Sequence, residues 1–181
     1  GISDLHEGII STAGILHYLS ETQHHQLNHI TTIKRIPFEG HVWLDRFTIR
    51  NLEIFFPNTL EGKCLIDVID HTISPMGGRL LKRWLALPST NSELIFKRHN
   101  IVEYFINKDK HRSFIIETLS SLSDLERLVS KVATKKINPR ELFTLNESLK
   151  NIKPLKNEFK KTTSDDLNSL FKSLINCDEI I

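Results

Sequence analysis

Apolar side chains recur every three or four residues along most of this 181-residue chain, the spacing that places them on one face of an α-helix. The first such stretch predicts a helix that ends near 21–25 and buries the face formed by Ile2, Leu5, Ile9, Ala13, Leu16 and Leu19. Alternation of Val42 with Leu44, after Pro37 and Gly40, predicts one short extended segment near 33–44. The pattern therefore predicts a mainly α protein, a helical bundle with minor strand content.

Helix starts are predicted where a polar side chain can accept hydrogen bonds from the unpaired amides of a first turn. Asp45 is placed to cap a helix running to Glu53 or Ile54, and a short helix follows from Leu65 to about His71. Proline at the first helical position or a capping box predicts further starts at Ser74-Pro75, Thr90-x-x-Glu93, Ser123-x-x-Glu126 and Asn138-Pro139-x-Glu141, and Ser164 before two aspartates predicts the last.

The carboxyl-terminal part keeps a three-four spacing suited to a long packed seam. Leu142, Leu145, Leu149 and Ile152 share one phase, which Leu155 and Phe159 continue beyond Pro154, a residue expected to kink or interrupt the helix. We expect one structural domain in four parts: a first core helix at 1–30, an extended segment, capped helix and loop at 31–62, a core bundle at 63–137 and long lever-like helices at 138–181.

Composition agrees with a soluble globular domain, since 39% of residues are apolar and 25% charged. The formal net charge of +2 is too small to indicate a nucleic-acid footprint by itself. Cys64 and Cys177 have no close cysteine neighbours, which favours reduced thiols while leaving one disulfide open. No apolar run of membrane-spanning length and no signal-peptide pattern is present, so we expect an intracellular protein.

Two sets of side chains could in principle do chemistry. His24, His25 and His29 could ligate a metal, but no third ligand is fixed by their spacing and a solvated polar turn is the commoner arrangement. Asp67 and Asp70 could form an acid-base pair, but capping and surface solvation are commoner uses of such aspartates. We therefore predict neither a metal site nor a catalytic residue.

Motifs at fixed spacing carry more information. They are Leu44-Asp45-x-x-Thr48-x-Arg50-Asn51-Leu52-Glu53, Asp70-x-Thr72-x-x-Pro75-Met76-Gly77-x-Arg79-x-Leu81-x-x-Trp84-Leu85-x-x-Pro88, Arg98, Asp124-Leu125-Glu126-Arg127-Leu128 and Asn138-Pro139-Arg140-Glu141-Leu142. In this order they resemble the central, mostly helical core domain of the MutS family, whose members use ATP and recognise mismatched base pairs in DNA. The resemblance covers about residues 5–175.

The resemblance implies a parent protein that binds mismatched double-stranded DNA as a dimer and hydrolyses ATP with Mg²⁺. The chain has no Gly-x-x-x-x-Gly-Lys-Ser/Thr loop for phosphate and no recognisable Phe and Glu mismatch motif. We therefore expect an internal core and lever segment that is not itself an enzyme and binds no cofactor. It would contact other domains of its own chain, with the family's DNA clamp after Ile181, and would be cytoplasmic or nucleoid-associated if bacterial.

Two alternatives remain open at this point. The chain could be an all-helical protein-interaction scaffold unrelated to DNA, with an accidental likeness. It could also be the core of a MutS homologue that serves recombination rather than repair.

The motif residues have a structural reading and a junction reading. In the first, they specify the fold; in the second, they hold a joint with another domain, as the resemblance implies. Both readings concern Asp45, Thr48, Arg50, Asn51, Glu53, Met76, Gly77, Arg79, Trp84, Arg98, Asp124, Glu126 and Arg127. Arg98 lies on an apolar stripe, so its guanidinium must either reach water or meet a carboxylate, and we expect an ion pair with Asp124 or Glu126.

Two surface features complete the expectations. A basic cluster could contact DNA phosphates non-specifically or could simply be solvated; it consists of Lys131, Lys135, Lys136 and Arg140. The family's core is completed by a segment after the clamp, so the resemblance implies an exposed apolar seam, for which the candidates are Leu142, Leu145, Leu149 and Leu167.

Overall fold

The computed structural model describes residues 2–22, 27, 30–34, 40–160 and 162–175. Within these ranges the chain forms ten α-helices. In chain order they are α1 His6–Glu21, α2 Arg46–Asn51, α3 Leu65–Ile69, α4 Pro75–Ala86, α5 Ser92–Asn107, α6 Asp109–Ser121, α7 Leu125–Ala133, α8 Pro139–Lys150, α9 Ile152–Phe159 and α10 Asp165–Lys172. The prediction of a mainly α helical bundle is confirmed.

Extended pairing in the described part of the chain is limited to one antiparallel bridge between His41 and Ser89. Backbone hydrogen bonds on either side reinforce it, from Val42 to Pro88 (2.7 Å) and from Thr90 to Gly40 (2.9 Å). This bridge holds the segment before α2 against the connection between α4 and α5. The extended segment predicted near 33–44 is thus reduced, in its described part, to a single contact.

Most of the predicted helix caps form. The side chains of Asp45, Ser74, Asn138 and Ser164 each accept a hydrogen bond from a first-turn amide of the helix that follows. Asn138 and Glu141 complete the predicted capping box. These polar side chains fix where α2, α4, α8 and α10 begin.

Two predicted capping boxes are wrong by one residue. Asn91, not Thr90, caps α5, because the backbone of Thr90 is held in the pairing to Gly40. Asp124, not Ser123, caps α7, because a carboxylate is the stronger acceptor and the Ser123 amide is bound to another side chain.

The apolar core lies where α5, α6, α9 and α10 meet. The rings of Phe159 and Phe171 stack with their centroids 4.5 Å apart, and Phe159 is fully buried. Phe105 meets Phe159 edge-on and Phe114 lies tilted against it, at 5.7 and 6.3 Å. Leu155 and Leu167 complete the buried cluster. Burial of aromatic and aliphatic side chains here ties the carboxyl-terminal helices to the α5–α6 pair.

The predicted lever region contains three helices of 12, 8 and 8 residues rather than long unbroken ones. The helix is interrupted at Asn151, which separates α8 from α9. Pro154 then lies in the first turn of α9, where a missing amide is tolerated. The predicted interruption near Pro154 is confirmed. So is the continued apolar phase, because Leu145, Leu155 and Phe159 are all buried.

Two predictions about burial are wrong, the first completely and the second in part. No residue of α1 is buried, and Ile9 and Leu16 are exposed, because α1 makes no extensive packing with the other helices in the described part. In the predicted exposed seam, Leu142 is exposed and Leu149 half-buried, but Leu145 and Leu167 belong to the buried interior. None of the helices in the described ranges combines the length and the apolar character of a membrane span.

Candidate functional site

Arg79 joins two sequence motifs that lie 45 residues apart. Its Nη1 and Nη2 atoms donate to Oδ2 and Oδ1 of Asp124 at 2.9 and 2.6 Å, and its Nε donates to Oε2 of Glu126 at 2.7 Å. We call this set the Arg79 clasp. A guanidinium fork bound to both oxygens of one carboxylate restricts orientation as well as distance. The clasp therefore fixes α4 relative to the start of α7.

The clasp also changes the acid-base properties of its members. Hydrogen bonds from Arg79 hold the pKa of Asp124 below its usual range, and the two carboxylates raise the pKa of Arg79. Both shifts favour the charged forms of Asp124 and Arg79. The Asp124 side chain is 20% exposed and that of Arg79 47% exposed, so the clasp lies at the surface of the bundle.

The start of α4 positions Arg79. Ser74 Oγ accepts from the Gly77 amide at 3.1 Å, and Asp70 accepts from the Thr72 hydroxyl at 2.6 Å. A Cβ added at Gly77 would lie 3.2 Å from Ser74 Oγ and 3.4 Å from Thr72 Cβ, so the turn packs closely against the helix. Gly77 thus serves the close approach that begins α4 and directs Arg79 toward α7.

The other half of the clasp is held by α8. Asp124 accepts from the Arg127 amide at 3.2 Å and caps α7, while the preceding Ser123 amide donates to Ser148 Oγ at 3.1 Å. Among the residues that the structure describes, Ser148 is the one polar residue that is buried. One residue beyond α8, Asn151 donates to Ser121 Oγ at 3.2 Å. The segment that leads into the acidic end of the clasp is therefore held by Ser148 of α8 and by Asn151 just after it.

The predicted ion pair of Arg98 with Asp124 or Glu126 is wrong. Arg79 occupies both carboxylates, and the guanidinium carbon of Arg98 lies over the Trp84 ring, 3.7 Å from its centroid. A cation over an indole face solves the same desolvation problem without a carboxylate. The contact between Arg98 and Trp84 thus links α5 to α4. Together with the Arg79 clasp, it connects α4 to both α5 and the start of α7.

The motif around α2 mainly organises its own turn. Asp45 accepts from the Thr48 amide at 2.6 Å, which lowers its pKa. Glu53 has a left-handed backbone (φ 47°), and its Oε1 accepts from the Asn58 amide at 2.6 Å. Arg50 and Asn51 lie on α2, and the Arg79 clasp does not include any of these residues. Met76 lies half-buried in the first turn of α4.

The predicted basic cluster is divided by local structure. Lys131 forms an ion pair with Glu141 and lowers the pKa of the Glu141 carboxyl. The amides of Lys135 and Lys136 donate to carbonyls of α7, with Lys135 in the left-handed conformation at φ 56°. This is a Schellman ending of α7. The side chains of Lys135 and Lys136 and of Arg140 in α8 are exposed.

The structure also shows what the two aspartates considered for acid-base chemistry do. Asp67 accepts from the amide and thiol of Cys64, and Asp70 accepts from Thr72, so both carboxylates have lowered pKa values and cap or brace turns. No group of three potential metal ligands is assembled among the described residues. His24, His25 and His29 lie outside them, as does Cys177.

Sequence reasoning missed the partner of the acidic pair and the role of Ser148. Arg79 lies on the same helix as two other basic residues, Lys82 and Arg83. Helical periodicity places a residue on a face but does not select its partner from a distant segment. The available signal was the proximity of Asp124 to Glu126, two acids at one helix start that together favour a bidentate cation.

Comparison with known proteins matches residues 47–180 to the family model described as MutS domain III. The chain is 49% identical over 178 residues to the DNA mismatch repair protein MutS of Christiangramia forsetii, covering 98% of this chain and 20% of that protein. The proteins of the same name from Flavobacterium psychrophilum and Flavobacterium johnsoniae are each 47% identical over 178 residues, again 98% of this chain, and the match covers 21% and 20% of their lengths. The chain thus spans about a fifth of the length of these relatives.

Proposed function

The chain belongs to the MutS family, and from this premise we propose that it is the core and lever segment of a DNA mismatch repair protein. In this role it connects the site that binds mismatched DNA to the site that hydrolyses ATP. Both sites lie elsewhere in the same polypeptide. The segment contributes a mechanical link and no catalytic group.

The observation that carries this proposal is the Arg79 clasp. It lies inside the matched residues 47–180 and connects α4 to the start of α7 through a two-bond contact between Arg79 and Asp124. Ser148 and Asn151 continue the connection into α8, and α8 packs against α9. A displacement of α4 would therefore move the carboxyl-terminal helices. Coupling between two distant sites requires such a connected element, biased differently by each ligand.

The longer protein would supply the remaining components. We propose mismatched double-stranded DNA, ATP with Mg²⁺ and a second subunit as its partners, and an intracellular location. The names of the relatives favour repair over recombination, since each is a DNA mismatch repair protein. Family membership removes the alternative of an accidental likeness.

We also propose a secondary, non-specific contact between DNA and the exposed basic side chains. Glu141 neutralises Lys131, so the proposal concerns Lys135, Lys136 and Arg140. Contacts of this kind weaken steeply with salt and do not read sequence. They would position DNA without recognising a mismatch.

The experiment that tests this division of labour measures binding of the chain to matched and mismatched duplexes of equal length. Fluorescence anisotropy over a salt series should give weak or absent binding that disappears with salt, with equal affinity for the two duplexes. Replacing Lys135 and Lys136 with Gln should remove any residual binding, while Lys110→Gln, at the start of α6, should not. A salt-resistant preference for the mismatch would place recognition inside this segment and contradict the proposal.

A further inference from the structure

The surface on and around α2 exposes large apolar side chains, three of them aromatic. Five lie within 18 residues of sequence, with exposed fractions from 61% to full exposure: Trp43, Phe47, Leu52, Phe56 and Leu60. Isolated apolar side chains are normal on protein surfaces, but a dense aromatic group indicates contact with another molecule or domain.

A cavity of about 390 Å³ lies within this surface. Arg46, Ile49 and Arg50 line one side of it, at the i, i+3 and i+4 positions of α2. Phe56, Pro57 and Asn58 line the other side. We call it the α2 cavity. Its lining combines two arginines with an aliphatic and an aromatic residue.

The wall formed by the loop after α2 has a fixed shape. The left-handed backbone at Glu53 turns the chain, and the Glu53 carboxylate accepts from the Asn58 amide at 2.6 Å. Backbone bonds from Leu65 to Glu53 (2.8 Å) and from Ile66 to Ile54 (3.0 Å) tie the loop to α3. The cavity is therefore built before any partner binds, which lowers the entropy cost of binding.

The charges in the cavity are unbalanced. Its lining contains two arginines and no carboxylate. The nearest acidic side chains in sequence, Asp45 and Glu53, accept hydrogen bonds from the Thr48 and Asn58 amides. Within the described ranges, neither Arg46 nor Arg50 forms an ion pair. Two adjacent guanidinium groups favour a planar anion that can accept from both.

We propose that the α2 cavity binds a carboxylate side chain from an acidic segment of the same longer polypeptide, outside residues 1–181. The carboxylate accepts from Arg46 and Arg50, and an apolar side chain beside it packs on Phe56. The relatives are about five times as long as this chain, so most of the polypeptide that could cover this surface lies outside it. The inference deepens the proposed function and rests on it, because it names the chemistry of one joint of the connecting segment.

The test places a benzophenone-bearing amino acid at position 56 of the longer protein, in place of Phe56. After irradiation without DNA or nucleotide, mass spectrometry of the digest identifies the crosslinked peptide. We expect the main adduct within the same polypeptide, on a segment outside 1–181 that carries Asp or Glu beside the attachment point. Combining it with Arg46→Gln and Arg50→Gln should lower the yield about ten-fold, the effect of removing a charge-assisted bond.

Two controls make the result specific. The same photoreactive group in place of the exposed Phe96 of α5 should give a yield that the arginine substitutions leave unchanged. Arg83→Gln, on α4, should leave the adduct at position 56 intact. Circular dichroism verifies that the double variant is folded.

Three outcomes would overturn the inference: no adduct, an adduct on a second copy or on a segment without acidic residues, or a yield that does not depend on the two arginines. Because the reaction contains no DNA and no ATP, failure of mismatch-dependent ATP hydrolysis would not alter the adduct. Failure of this inference is therefore distinguishable from failure of the proposed function.

Discussion

Replacement of Ser148 by alanine removes a hydrogen-bond acceptor from the interior of the bundle. Ser148 Oγ accepts from the Ser123 amide at 3.1 Å, and the side chain is 2% exposed. Ser123 directly precedes Asp124, which caps α7 and binds Arg79. The substitution removes one oxygen atom and leaves the apolar packing of α8 intact.

The magnitude follows from two opposing contributions. A buried amide left without a partner costs about 1–3 kcal/mol. Alanine favours the interior of a helix over serine by about 0.5 kcal/mol, and Ser148 lies inside α8. Ser123 is only half-buried, so water replaces part of the lost bond. We expect Ser148→Ala to lower the free energy of unfolding by about 1 kcal/mol, toward the lower end of the amide cost.

Urea unfolding followed by circular dichroism measures this difference. Ser130→Ala is the matched control, because the Ser130 hydroxyl is exposed and donates to the Glu126 carbonyl of its own helix. That variant should be unchanged or more stable by up to about 0.5 kcal/mol. Hydrogen exchange of the Ser123 amide gives a local readout, and Ser148→Ala should accelerate it. An unchanged midpoint together with a slowly exchanging Ser123 amide would refute the reasoning.

Three further substitutions test other parts of the structure. Phe159→Ala should lower the free energy of unfolding by about 3–5 kcal/mol, because Phe159 is fully buried. Phe96→Ala, at the surface, should lower it by less than about 1 kcal/mol in the same urea assay. Equal losses would contradict the assigned core. Lys135→Gly should stabilise α7 by up to about 1 kcal/mol, since glycine adopts the left-handed conformation without strain, and a loss of stability would argue against the Schellman ending. The pKa of Asp124 is lowered in the folded state, so its contribution is complete above the usual pKa of aspartate and is lost as pH falls below about 4. Asp124→Asn should therefore flatten the acid limb of the stability curve, and an unchanged limb would contradict the clasp.

Local features of this fold could be predicted because they depend on neighbouring residues. The caps at Asp45, Ser74, Asn138 and Ser164 are contacts over three residues, and the apolar phase through Leu155 and Phe159 follows helical spacing. The break near Pro154 follows from its missing amide. Family membership followed from the order of several motifs.

Contacts between distant segments could not be predicted. Arg79 and Arg98 both precede the acids at 124 and 126 and both lie on helices, so the pattern did not decide which of them binds these acids. The wrong prediction that one face of α1 is buried has a similar cause. Helical periodicity indicates an apolar face but does not identify the surface that would cover it. The division between structural and junction roles for the motif residues stays a prediction.

Mismatch-dependent ATP hydrolysis by the longer protein, compared between Arg79→Gln and its control Arg83→Gln, tests the connecting role most directly. The measured quantity is the ratio of hydrolysis rates with mismatched and matched duplexes, alongside duplex affinity and the rate without DNA. Opening the Arg79 clasp should bring the ratio toward one while duplex affinity and the DNA-free rate change little, and Arg83→Gln should keep the full ratio. An unchanged ratio in Arg79→Gln, with the clasp shown to be broken, would contradict the proposal that α4 and α7 transmit between the two sites.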